Sequence, residues 1–502
     1  MNKLIFNDVG LWPHSLELCE LSRYLLDTGN NVFFLSSNDS FFGNPANPLC
    51  NNFAKIITKK RNIYIHNELN KFKVNCSFIP RSNIKDVSFE KKVNQNLLDS
   101  IYGTYCEILC DGLANRRTSY YKNFEKKILL SIEKSSYFLD SFIKNNDIDE
   151  VIVWNGRRPA QVFLVNLAKL NFIKYSSVIL SQISGRYAYK TNWPDVNDIN
   201  QYSKVIFKKL DNFNKKGINE NAITKSNLYF RRAQGLIEKP ESFSSRGFYT
   251  YSEQYHNSKN LKEKISHLKK LNKKIVSIFP GTFLEYIALP SYSYDSMKKN
   301  HYEHINYFLS LDLDSSYHFI LRFHPNQRLV KYNERSEIRK IINKASIKSN
   351  FDLILPQQNI SSYQLIKYSD YVVSIGSSIS VEALQMKKKV IFLGCNWFQE
   401  LESLNKPKSE KDIIKLLNSD IKPNPNSYRD SILFVESFLD EDHLKFNYYS
   451  SLNQIIKKTI FNKYILKIAI ALTMISTRIF RLRFLLNKDS WIENYKAQKY
   501  KF

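Results

Sequence analysis

The chain has 502 residues, 43% of them hydrophobic and 14% aromatic, which excludes a disordered protein and exceeds one ordinary core, so two domains with appendages are expected. Its formal charge of +27 raises nucleic acid as a partner. The lysines are scattered singly and in pairs among asparagine and isoleucine, and no nucleic-acid module is recognisable, so an anionic membrane or lipid-linked acceptor is the preferred partner.

In chain order, a strand at 4–6 opens the sequence, and no leader segment is expected ahead of the fold. A loop at 7–15 follows, carrying Asp8, Gly10 and His14 at a strand's carboxyl end, where open parallel sheets bind ligands. A helix closed by Gly29 and Asn30 leads to a strand at 32–35. Residues 38–62 read as loop, around Gly43, Pro45 and Pro48, and 90–147 as mostly helix. A strand at 149–154 is followed by Asn155-Gly156-Arg157-Arg158 and a helix from Pro159, a residue suited to a first helical turn. Residues 190–245 read as a helical, basic connector. The next strand, in KIVSIFPGTF from Lys274, ends at Pro280-Gly281-Thr282. No solenoid-length repeat is evident.

YHFILRFHPNQ then gives a hydrophobic strand ending in Arg322 and His324, a forked cation and an imidazole at a strand's carboxyl end. YSDYVVSIGSSISVEALQMKKKVIFLG reads as strand (371–375), small-residue turn (Gly376, Ser377, Ser378), helix and strand. Its helix spaces Ile379, Val381, Ala383 and Leu384 on the apolar side. The turn gathers unpaired N–H groups suited to a phosphate, and Glu382, one turn on, is placed for ribose hydroxyls. Cys19, Cys50, Cys76, Cys106, Cys110 and Cys395 lack metal-finger spacing; reduced thiols of a cytoplasmic protein, and no metal, are expected. At 462–488, NKYILKIAIALTMISTRIFRLRFLLNK holds an apolar run (468–477) too short for the roughly twenty residues of a bilayer span. Flanked by Lys463, Lys467, Arg478, Arg481 and Arg483, it reads as a helix lying on an anionic leaflet, or one packing back on the first domain.

RFHPN, ISSYQLIKYSDYVVSIGSS and SVEALQMKKKVIFLG resemble segments of the bacterial capsule and surface-polysaccharide biosynthesis glycosyltransferases of GT-B fold. VIVWNGRRPAQ (151–161) and GFYTYSEQYHNS (247–258) are similar to two further segments of that family. The resemblance implies an α/β chain of two Rossmann-like domains facing across a cleft, with a C-terminal helical extension. It implies domains at 1–260 (acceptor side, with helical insertions), 261–425 (nucleotide-sugar) and 426–502 (extension). Two departures stand out: Met386-Lys387-Lys388-Lys389 replaces the usual Gly-Lys-Pro, and no acidic residue lies near Gln182.

The expected activity is metal-independent transfer of a sugar from a nucleotide-sugar co-substrate to a glycan or lipid-linked glycan, without a cofactor, on the cytoplasmic face of the membrane. Donor phosphate is expected among Gly281, Thr282, Arg322, His324, Ser377 and Ser378, with ribose toward Glu382. If the reaction inverts, His14 is the first choice of base, with Asp8 or Glu253 behind it. Asn155 and Arg157 are expected to line the acceptor side. A CDP-polyol phosphotransferase of teichoic-acid type and a non-catalytic scaffold of a capsule assembly complex are the alternatives. The His-Pro and Ser-Ser pairing also resembles CMP-sialic acid and CMP-Kdo transferases, so CMP, UDP and GDP donors all stand open.

Overall fold

Short β-branched and aromatic runs, most of them largely buried, build two mainly parallel sheets in this computed structural model. It describes residues 1–7, 12–37, 62–80, 89–194, 198–234, 259–283, 300–311, 316–438 and 443–445, with gaps at 64, 68, 110, 181–185, 359 and 420–421, and residues 236 and 287 singly. The first unit draws on Met1–Ile108 and Asn115–Val196, the second on Leu109–Ala114 and Asn197–Asp440.

In the first unit the elements run β1 (Asn2–Asn7), α1 (Trp12–Asp27), β2 (Asn31–Ser37), β3 (Asn75–Ile79), α2 (Phe89–Lys92), α3 (Gln95–Leu109), α4 (Ser119–Asn145), β4 (Glu150–Trp154), α5 (Pro159–Leu170), β5 (Lys174–Leu180) and β6 (Arg186–Thr191). The second unit continues with α6 (Ile199–Lys216), α7 (Glu220–Ala233), α8 (Lys259–Lys270), β7 (Lys274–Pro280), α9 (His301–Ser310), β8 (Tyr317–Arg322), α10 (Tyr332–Ser346), β9 (Phe351–Ile354), α11 (Ser362–Tyr368), β10 (Tyr371–Ile375), α12 (Ile379–Gln385), β11 (Lys389–Leu393), α13 (Glu410–Asn418) and α14 (Ser427–Phe438). A last strand, β12 (His443–Lys445), returns to the first sheet and pairs antiparallel with β6.

The first sheet has the order β12-β6-β5-β4-β1-β2-β3 and the second β11-β10-β7-β8-β9. Numbered within its own unit, each parallel core therefore reads 3-2-1-4-5, the doubly wound order whose direction of winding reverses beside its first strand. The reversal falls between β1 and β4 in one sheet and between β7 and β10 in the other.

Three expectations are corrected here. Helix α1 begins at Trp12, so His14 stands in a helical first turn and not in a loop; Asp8 and Gly10 lie outside the described residues. Of the stretch expected as a connector, residues 198–234 belong to the second unit, which begins well ahead of residue 261. Ile206 and Leu210 of α6 and Phe230 of α7 share a buried core with Leu261, Ile275, Ile320, Val372 and Leu433. Apolar faces on amphipathic helices must be covered, and this sheet covers them. Helix α14, expected in a C-terminal extension, belongs to the same core. Trp397 stacks on its Phe434 and Phe438, at 4.7 and 5.5 Å between ring centroids, and meets Tyr202 of α6 at 4.2 Å. Residues 446–502, including the basic apolar tail, lie outside the described residues.

The missing glycine after α12 has a local answer. Lys387 takes the left-handed conformation, φ 56°. Its N–H donates to Leu384 O (2.9 Å) and that of Lys388 to Ala383 O (2.9 Å), the paired bonds of a Schellman ending. A side chain in that conformation costs about 1 kcal/mol or more relative to glycine.

Two stability measurements follow. Urea unfolding of Ile206→Ala should lose about 3 kcal/mol if α6 is core; a loss under about 0.5 kcal/mol would return it to the status of a connector. Lys387→Gly should raise stability by about 1 kcal/mol, and an unchanged midpoint would deny the strain at that position.

Candidate functional site

Strands β10, β7 and β8 are neighbours in the second sheet, so the turns at their carboxyl ends meet. Gly281 N–H, just past β7, donates to Ile375 O at the end of β10 (2.8 Å), and Gly376 N–H, just past β10, donates to Leu393 O of β11 (2.8 Å). Gly376 is in the left-handed region, φ +64°, and a Cβ there would lie 3.1 Å from His301 Nε2, so a glycine is required by both conformation and space. His301, buried at the start of α9, donates from Nδ1 to Gly281 O (3.2 Å). Asn396 Nδ2 donates to Gly376 O (2.7 Å). His301 thus fixes the turn after β7 and Asn396 the turn after β10, while the Gly281 N–H joins the two.

In front of them lie Thr282, Arg322 and His324. Strand β8 stops at Arg322, and His324 caps the 3-10 helix Pro325–Leu329. Asn326 N–H donates to His324 Nδ1 (3.2 Å), and Thr282 Oγ1 lies 3.0 Å from the same atom. A backbone N–H only donates, so Nδ1 is the accepting nitrogen and the proton resides on Nε2, leaving an N–H donor. Burial, and then the charge of Arg322, lower the imidazole's pKa to about 4, so the ring is neutral at pH 7.

Arg322 is 4% exposed. Its Nη1 donates to Phe323 O (2.8 Å), while Nε is buried and finds no partner among the described residues. Desolvation alone lowers its pKa to about 10, and no carboxylate offsets it among those residues.

The Ser-Ser turn is partly occupied with itself. Ser377 N–H donates to Ser374 Oγ (3.3 Å), Ile379 N–H donates to Ser377 Oγ (3.4 Å), and Ser374 Oγ and Ser380 Oγ both donate to Ser377 O. Ser378 is exposed and its side chain caps nothing. Glu382 is half-buried one turn into α12. Burial and the nearby Glu382 carboxylate raise the pKa of the Tyr229 hydroxyl, which places the two groups close together.

Two further expected residues, Asn155 and Arg157, belong to the first unit. In the first unit Asn155, φ 64°, accepts from Arg157 Nε (3.0 Å) and donates its N–H to Val178 O (2.8 Å) at the end of β4. That is a self-satisfied turn. The side chain of His14, along with Asp8, Gln182 and Glu253, falls outside the described residues. A polar group not foreseen lies at the ends of β1 and β2: Asn7, Ser36, Asn62 and the buried His66, whose Nε2 is 2.9 Å from Ser36 Oγ. His66 lines a cavity of about 470 Å³ with Cys76, Phe78 and Phe142. Among the described residues no cluster of three or more His, Cys, Asp or Glu is placed to hold a metal, and no helix is long and apolar enough to cross a membrane.

Two Rossmann-like units in one chain make the GT-B architecture. No protein-family model and no curated protein sequence matches the chain. Solved structures similar to it include the Thermosulfurimonas dismutans KpsC beta Kdo 2,7 transferase, at 12% identity over 62% of this chain and 83% of that one, TM-score 0.33. Acinetobacter baumannii MurG is similar at 9% identity over 91% and 99%, TM-score 0.28. Neisseria meningitidis UDP-GlcNAc 2-epimerase bound to UDP-GlcNAc is similar at 11% over 88% and 99%, TM-score 0.23. At those values the likenesses carry no argument about activity.

The geometry sets a titration. With its pKa lowered from 6.5 to about 4, His324 adds stability that is complete above pH 6.5 and drains away as pH falls through 4. NMR titration of the ring should find it near 4 and find it higher in Arg322→Met, where the neighbouring charge is gone. A wild-type value near 6.5 would deny the desolvated site.

Proposed function

We propose that the chain is a glycosyltransferase that takes a sugar from a nucleotide donor and adds it to a growing surface glycan without a bound metal. The observation that carries this reading is Arg322, a buried guanidinium with no carboxylate partner among the described residues, beside Thr282 and the Nε2–H of His324. Burying a charge uncompensated is costly, and an anion arriving at the strand ends relieves that cost. Open parallel sheets take ligands at this end and at this reversal of winding.

In the proposed reaction the nucleoside phosphate leaves the anomeric carbon as its bond to the acceptor hydroxyl forms. Charge grows on the departing phosphate oxygens. Arg322, the His324 Nε2–H and the N–H groups of the Ser377–Ser378 turn receive it, each well-aimed donor contributing about a hundredfold in rate. Glu382 takes the ribose hydroxyls. His14, in the first turn of α1, is assigned as the base for an inverting transfer, with Asp8 or Glu253 as substitutes, and Asn155 and Arg157 hold the acceptor. The acceptor is a glycan or lipid-linked glycan, and the basic tail at 462–488 attaches the enzyme to the anionic inner leaflet.

Thermal-shift measurements with CMP, CDP, UDP and GDP test the site. One nucleotide at a hundred times its Kd should stabilise the wild type by about 2.7 kcal/mol, several degrees in Tm, and His324→Ala and Glu382→Ala should each remove the shift. A flat response to all four nucleotides, or a shift that both variants retain, would refute the reading.

A further inference from the structure

His324 is tied at its backbone as well as at its ring. Gln327 Oε1 accepts from His324 N–H (2.7 Å), and Gln327 Nε2 donates to the Tyr302 hydroxyl (3.3 Å). Tyr302 O–H donates in turn to Glu334 Oε1 (2.5 Å). Glu334 is fully buried in the first turn of α10. Its other oxygen, Oε2, accepts from Gly112 N–H (2.7 Å).

The segment Leu109–Ala114, grouped by its contacts with the second unit, answers that bond. Asp111, also buried, accepts at Oδ1 from Glu334 N–H (3.0 Å) and at Oδ2 from Asn333 N–H (3.2 Å). Residue Lys331, in the N-cap position of α10, supplies no side-chain cap. In an ordinary capping box a cap side chain takes the N–H of the third helical residue, whose Glu side chain takes the cap's N–H. Here Asp111 and Gly112 play the cap from another part of the chain, and Glu334 is the third residue.

We propose that this box is a positioning device for the donor site: Glu334, through Tyr302 and Gln327, fixes the backbone of His324 and with it the direction of the Nε2–H donor. The proposal rests on the donor-site reading above. Its consequence is a chain of donors, Gln327 to Tyr302 to Glu334, that is complete only when Glu334 is ionised. Protonation at Oε1 turns that oxygen into a donor and forces the Tyr302 O–H away from it.

Burial and the Asp111 charge favour protonation of Glu334. Asp111 approaches from the Leu109–Ala114 segment and Tyr302 from α9, and among the described residues no cation offsets the Asp111 charge at Glu334. Burial, and behind it the Asp111 charge, raise its pKa to about 7, against bonds from Tyr302 and Gly112 that lower it. The stability contributed by neutral Glu334 is therefore full below its ordinary pKa of 4.5 and lost as pH rises through about 7. Stability and positioning pull in opposite directions near neutrality.

That opposition gives a readout which a merely structural role would not produce. Glu334→Gln keeps the Gly112 bond but presents an amide donor to Tyr302, imitating the protonated state. At pH 8 it should raise Tm and yet bind the stabilising nucleotide of the CMP, CDP, UDP and GDP panel about fivefold more weakly, with the gain in Tm fading below pH 5. The ratio of wild-type to Glu334→Gln affinity should climb through pH 7. Tyr302→Phe should weaken the nucleotide to a similar degree, and the double variant no further. In the ligand-free protein the His324 ring, assigned by comparison with His324→Gln, should titrate at a different pH in Tyr302→Phe than in wild type.

Affinity and ring titration unchanged in both variants would overturn the proposal, as would affinity losses that merely track lost stability. If the wild type binds none of the four nucleotides the donor-site reading fails, and the His324 titration alone decides the network: a shift in Tyr302→Phe supports it, no shift overturns it.

Discussion

Arg322 is the constraint on which the second unit's site depends. A guanidinium 4% exposed gives up hydration worth several kcal/mol, and the carbonyl of Phe323 returns only part of it. The same burial lowers the imidazole of His324, so the strand ends hold a fixed cation beside a neutral donor rather than two competing cations. Lysine would serve poorly here, since a buried ammonium sheds its proton far more readily than a guanidinium. A low local dielectric then strengthens whatever attraction the pair exerts on an arriving anion.

Topology decides where that pair stands. Because β10 lies next to β7 and not beyond β9, the turns after Pro280 and Ile375 approach each other, and the left-handed Gly376 suits a position where a Cβ would crowd the His301 ring. His301 donates from Nδ1 to the Gly281 carbonyl and so fixes the turn after β7. The first sheet repeats the strand order 3-2-1-4-5, and its own reversal point is edged by Asn7 and the turn at Asn155. The two units are thus built by one rule and differ in what each edge carries: a buried arginine in the second, and in the first a half-buried Arg157 that bonds Asn155 in the turn after β4.

What could be read from the sequence was what is local. The strand–turn–helix at 371–385, the Pro280-Gly281-Thr282 turn and the Arg322–His324 strand end each declare themselves within a dozen residues, through burial runs and turn chemistry. Gln327 was also within reach, since His324-Pro325-Asn326-Gln327 is spaced as a cap, a first-turn proline and a third-position amide. The allegiance of α6 and α7 was not legible, because an amphipathic face says that it must be covered and not by what. The left-handed Lys387 was hidden for another reason: the pattern of a Schellman ending is ordinarily signalled by glycine, and here the backbone adopts it at some cost without that signal.

The cap on α10 lay furthest from any local signal, for Asp111 and Asn333 are 222 residues apart. Helix starts are ordinarily satisfied by a side chain of their own segment, so α10, preceded by Lys331, looks uncapped in sequence. Supplying the cap from a distant segment has a physical consequence that a local cap lacks. It brings two carboxylates, Asp111 and Glu334, into one buried pocket with no cation among the groups acting on Glu334. A local serine or threonine would have closed the helix without that repulsion. Burial, with that repulsion behind it, raises the pKa of Glu334 to about 7, and the hydrogen bonds leading from Glu334 through Tyr302 and Gln327 end at the residue that burial and the neighbouring arginine hold neutral.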